Sequence, residues 1–156
     1  MIKKLGLFLL LITFSLCLTG CKEEKIEGTL EDLMNKVYAS IPDEEKPMML
    51  MNTVVDSENI EYFLGTKDIE LEEALASESG VGSIAHSVVL VRAKENADIE
   101  KIKNDIKENV DPRKWICVGV EKEDLIVKNK GNLIILIMVE DEKTREKIDN
   151  AFEGLK

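Results

Sequence analysis

The chain predicts an α+β fold: a mostly antiparallel sheet with helices packed on one side, in a single domain. Three observations carry this. Segments of helical period and segments of strand length follow in the order α-β-α-β-β-α-β-β-β-α, so strands come in consecutive runs rather than in strict alternation with helices. The tetrapeptide Asn129-Lys130-Gly131-Asn132 between two apolar runs is a hairpin turn, which imposes antiparallel pairing. Residues 29–156 have the length of one ordinary domain with one hydrophobic core.

Taken in order, Thr29 opens a capping box with Asp32. Leu30, Leu33, Met34, Val37 and Tyr38 then fall on one face of a helix that runs to about residue 40. Pro42 and Pro47 bracket an acidic loop, and residues 48–55 form a dense apolar run read as a core strand. Asp56 or Ser57 caps a short helix that ends before Gly65. A strand is expected over residues 69–77, a turn at Gly80-Val81-Gly82, and a central strand over residues 84–93, which is valine-rich and apolar on both faces. Asn96 caps the next helix. Ile99, Ile102, Ile106 and Val110 line its buried stripe, and Pro112 ends it. Strands over 115–121, 125–129 and 133–139 and a helix over 141–152 complete the domain.

Ahead of this domain stands an address. Residues 5–18 are almost wholly apolar, follow Lys3 and Lys4, and are too short to span a bilayer comfortably, which takes about 20 residues. A basic start, a short apolar middle and small residues before a cut define a secretory signal. Leu18-Thr19-Gly20-Cys21 resembles the bacterial lipobox, in which the cysteine takes a diacylglyceryl group and becomes the new amino terminus. The expectation is a signal peptide over 1–20, lipidation at Cys21, a tether over 21–28, and a domain held at the extracytoplasmic face of the cell membrane by two acyl chains.

The 156 residues carry 21 basic and 31 acidic side chains, a net charge of −10 that becomes −12 once Lys3 and Lys4 leave. Such a surface repels nucleic acid and anionic headgroups, so the membrane is held through the lipid alone. Cys17 departs with the signal and Cys21 becomes a thioether, which leaves Cys117 without an intramolecular partner, as a buried strand thiol. Lysine and isoleucine outweigh arginine, which fits an AT-rich Gram-positive host.

The strongest local candidate for binding is Asp111-Pro112-Arg113-Lys114-Trp115. It gathers a carboxylate, two cations and the chain's single tryptophan within one turn, suited to an anion or a peptide. The same residues also make an ordinary helix exit, with cations at the C-terminal dipole and a packed tryptophan. His86 is the single histidine; Ser87, its strand neighbour, points to the opposite face, which removes an easy nucleophile-base pair and makes His86 a structural residue. Met48, Met49 and Met51 suit Cu(I), but methionine packing in a core strand is the favoured reading. The acidic clusters lack the spacing of an EF-hand, no cysteine pair has zinc spacing, and Gly80-Val81-Gly82 lacks the rest of a dinucleotide loop. No catalytic residue, metal site or cofactor is assigned.

Residues 83–92, Ser-Ile-Ala-His-Ser-Val-Val-Leu-Val-Arg, and 109–118, Asn-Val-Asp-Pro-Arg-Lys-Trp-Ile-Cys-Val, resemble a family of small bacterial lipoproteins. That family, found mainly in clostridia-like Gram-positive bacteria, is known as a domain of unknown function, and the resemblance covers about residues 30–140. It implies the lipid anchor and the extent of the fold, and brings no substrate. The functional expectation is therefore a binding or interaction module at the cell envelope, with an envelope protein or peptide as partner. A carboxylate-dependent hydrolase and a metal-handling lipoprotein are the alternatives.

Overall fold

The computed structural model describes residues 25–156. The expected signal segment and the expected lipidation site, Cys21, lie outside the described residues. Helix α1 spans Leu30–Tyr38, strand β1 Leu50–Val54, helix α2 Ile60–Leu64, strand β2 Leu71–Ser79 and strand β3 His86–Ala93. Helix α3 spans Ile99–Asn109, strand β4 Ile126–Lys130, strand β5 Leu133–Val139 and helix α4 Glu142–Glu153. The five strands form one antiparallel sheet in the order β1-β2-β3-β5-β4. The α+β class, the antiparallel sheet and the single domain are as the sequence predicts.

The helices, however, cover both faces rather than one. Side chains alternate across a strand, so even-numbered residues of β3 such as Val88 and Leu90 meet α1 and α4, while Val89 and Val91 meet α2 and α3. The same division runs along β5, where Ile135 and Ile137 serve one core and Ile134 and Leu136 the other. All seven residues of β5 are buried, which explains why its sequence Leu-Ile-Ile-Leu-Ile-Met-Val has no polar position.

The caps follow the residues. Thr29 Oγ1 accepts from Asp32 N at 3.1 Å, and Asp141 Oδ2 accepts from Thr144 N at 2.8 Å. The cap of α3 is Asp98, which accepts from Lys101 N at 3.0 Å, and Asn96 instead takes a left-handed turn conformation. Helix α2 starts at Asn59, whose side chain bonds to Asp56 N and Val54 O and so ties β1 to the helix.

The expected tether is partly domain. Ile26 is 1% exposed and belongs to the core between α1 and the sheet, because Arg92 of β3 reaches across to it. The guanidinium donates to Ile26 O at 2.8 Å and Gly28 O at 2.7 Å, while its Nε pairs with Glu73.

Two further expectations fail at residues 48–55 and 115–121. The first is an edge strand, not a core strand, and Met48, Met49, Met51 and Val54 are exposed. The second is no strand at all. Residues 110–121 form a folded loop in which Val120 N bonds to Pro112 O at 2.9 Å and Ile116 N to Gly82 O at 2.7 Å. Gly119 permits that closure, since a Cβ there would stand 2.9 Å from Pro112 O. Cys117, at φ +63° in this loop, is exposed rather than buried.

Candidate functional site

Strand β1 bounds a groove of about 410 Å³ whose walls include Met51 and Thr53 of β1, Tyr62 of α2, Glu78 of β2, and Lys114, Trp115 and Ile116 of the loop. Each wall has a local cause. The odd residues of β1 face the same side as α2 and α3, and α2 is too short to cover the whole strand, which leaves Met51 54% exposed above it. The loop is brought to the groove by its bond to Gly82 and by Lys114.

Lys114 is the buried anchor. Its side chain is 4% exposed, with Nζ 2.9 Å from Glu78 Oε1 and 3.5 Å from Ser87 Oγ. The ammonium also lies over the Tyr62 ring at 4.1 Å, with Phe63 at 4.8 Å and Trp115 at 5.2 Å from their ring centres. Negative ring faces and one carboxylate thus replace the water lost on burial. Burial pulls the Lys114 ammonium below its ordinary pKa, and Glu78 and Asp111 oppose that fall. The Tyr62 phenol is pushed up to about 12, first by burial and then by the Glu78 carboxylate. Trp115 Nε1 is buried without a hydrogen-bond partner among the described residues, an unsatisfied donor in the groove wall.

The four residues singled out for binding therefore divide. Lys114 and Trp115 form the groove wall, as a binding reading needs. Asp111 closes the turn by accepting from Arg113 N at 2.9 Å, and Arg113 pairs with Glu121 in solvent, so neither lines the groove. Pattern reading missed Tyr62, Glu78 and Ile116, and took Met51 for a packed core residue. The exposed Met48, Met49 and Met51 were the available signal, because an apolar run without charge suits an open edge as well as a core.

The backbone of β1 is as open as its side chains. Gly80 N bonds to Met49 O and Val55 N to Ala74 O, both at 2.9 Å, and these pairs belong to the register that joins Met51 to Glu78 and Thr53 to Ala76. In an antiparallel pair, successive residues alternate between bonding the neighbour and facing away. The N–H and C=O groups of Leu50 and Asn52, and the N–H of Val54, consequently point out of the sheet, while Val54 O is taken by Asn59.

Ser87 and His86 lie outside the groove lining. Ser87 is fully buried under Lys114, out of reach of anything in the groove. His86 is buried on the opposite face, 2.8 Å from Tyr38 Oη through Nε2, as a structural histidine would be. Desolvation lowers its pKa to about 4, and the buried Tyr38 phenol is raised above its ordinary value. Among the described residues, no three His, Cys, Asp or Glu side chains gather as metal ligands, and no helix is long and apolar enough to cross a membrane. No protein family, curated protein or solved structure matches the chain.

Proposed function

We propose that this chain is a lipid-anchored, extracytoplasmic binding module that takes an extended polypeptide segment of an envelope partner as a sixth strand beside β1. The apolar segment behind Lys3 and Lys4 and the lipobox-like Leu18-Thr19-Gly20-Cys21 support the location. The observation that carries the binding reading is the unguarded edge. β1 has outward N–H and C=O groups, no charged residue in Leu-Met-Asn-Thr-Val, and an apolar groove along one side. Strand addition uses such an edge, with main-chain bonds supplying affinity and a side pocket supplying selectivity. Met51, Tyr62, Trp115 and Ile116 suit apolar side chains at alternate positions of the incoming strand.

Asn52→Pro tests this reading. The N–H of Asn52 faces away from β2, so the substitution removes an outward donor and adds bulk at the edge without breaking a ladder bond. Random nine-residue peptides displayed on phage and selected on the purified domain are expected to yield sequences that bind the wild-type chain at least tenfold more tightly than Asn52→Pro. Selection that enriches nothing, or only peptides that bind both chains equally, overturns the reading.

A further inference from the structure

We infer that the resting occupant of the β1 edge is a second copy of this chain, paired with it antiparallel about a two-fold axis at Asn52. The inference rests on the same reading of β1 as an edge open to a further strand, and names the competitor that an envelope segment must displace. Strand β1 is self-complementary in register. Its outward main-chain groups belong to Leu50, Asn52 and Val54, spaced evenly about Asn52, so a copy running the other way sets Asn52 against Asn52 and Leu50 against Val54. The two Asn52 residues then exchange a pair of bonds, and each Val54 N–H meets the Leu50 C=O of the other copy. On the groove face, Met51 of one copy stands opposite Thr53 of the other, where the two half-grooves meet.

Charge and exposure point to the same occupant. The chain is acidic, so two copies repel where charged surfaces meet, yet none of the residues that this register brings opposite one another is charged. Among the described residues, the large apolar side chains left exposed are Met48, Met49, Met51, Val54, Tyr62 and Ile116, and all of them lie in β1, just before it, or in the groove wall. Pairing through β1 brings the two copies of that patch together. A two-fold axis perpendicular to the sheet also keeps α1 and α4 of both copies on one side of the joined sheet. Ile26 packs on that side, so both chains enter the fold from the same direction, as two tethers in one membrane require. Anchoring there raises the effective concentration of one copy for the other without any new contact.

Disulfide trapping of the full chain tests this. Intact bacteria expressing it are oxidised with copper phenanthroline, and the products are separated without reductant and identified by mass spectrometry. Asn52→Cys in a Cys117→Ser background is the probe. Lys107→Cys in the same background, exposed on α3, reports chance collision, and Val54→Lys added to the probe places a charge opposite Leu50. The expected result is a species of two identical chains at least fivefold more abundant from position 52 than from position 107, and reduced at least fivefold by Val54→Lys. Equal yields from positions 52 and 107, or a yield that Val54→Lys leaves unchanged, overturn the pairing. A probe joined instead to a different protein overturns the second copy as occupant and leaves strand addition standing. Specific pairing in a chain for which phage selection enriches no peptide upholds the second copy while the envelope-partner reading falls.

Discussion

The two edges of the sheet receive opposite treatment. Strand β4, at one edge, is half-buried along its whole length and carries Lys128 and Lys130. Lys128 pairs with Asp149 and Glu153 of α4, Lys130 donates to the carbonyls of Glu153 and Leu155, and Lys103 of α3 reaches Asn129 at 2.9 Å. Strand β1, at the other edge, has no charged residue, pairs only with β2 among the described residues, and leaves Val54 68% exposed. Proteins ordinarily blunt their edges with lysine, cover or distortion, because a bare edge recruits other strands. One sheet that guards β4 with three lysines and leaves β1 bare teaches that the openness of β1 is selective, and this supports a docking role there.

The largest expected effect concerns what holds the bare edge in place. Lys114→Met leaves Glu78 buried and unpaired behind β1 and should cost about 4 kcal/mol in urea unfolding, whereas Lys128→Met at β4 breaks partly solvated pairs and should cost less than about 1 kcal/mol. Equal costs would erase the contrast between a pinned groove and a decorated edge. Next, Thr53→Pro should destabilise by about 3 kcal/mol, because its N–H bonds β2, while Asn52→Pro should lose less than about 1 kcal/mol. If the two prolines cost the same, the outward register of β1 is wrong.

Between the edges, acid should act through His86 in β3. Its folded-state pKa, about 4, lies below the ordinary 6.5, so the neutral ring contributes stability that is fully present above pH 6.5 and lost as pH falls from 6.5 to about 4. The loss should reach roughly 3 kcal/mol. His86→Gln, which keeps a partner for Tyr38 but does not titrate, should flatten that part of the stability profile measured by denaturant unfolding. The smallest effect is expected from Val54→Lys, which gives β1 the kind of guard β4 already has. Stability should stay within about 0.5 kcal/mol, and binding of selected peptides should fall.

Local signals made much of this fold legible. Thr29 with Asp32 marks the start of α1, the isoleucines at 99, 102 and 106 mark the buried stripe of α3, and Asn129 to Asn132 mark the β4–β5 hairpin. What stayed hidden depends on neighbours distant in sequence. Residues 48–55 are apolar enough for a core, and only the strand order puts them at an edge. Ile116, Val118 and Val120 alternate as a strand would, yet their segment bonds to Gly82 and folds back on Pro112 at Gly119, so the propensity is overridden by a loop. Helix amphipathicity showed that α1, α3 and α4 each bury a face but not which side of the sheet each one takes. Half of the candidate cluster was legible because Lys114 and Trp115 are adjacent in sequence. The partners that make them a groove come from α2, β1 and β2.

Gly65 ends α2 at φ +78°, and a Cβ on it would stand 2.2 Å from the backbone of Asn109, where α3 ends. The two helix termini therefore touch main chain to main chain, and Tyr62, one turn earlier in α2, inherits its position from that contact. A methyl group added at residue 65 would wedge the helices apart and swing the phenol wall relative to Met51, changing the width available to an incoming strand without altering any side chain that lines it. Caliper-like control over the mouth of the cleft thus resides in an atom the protein does not have.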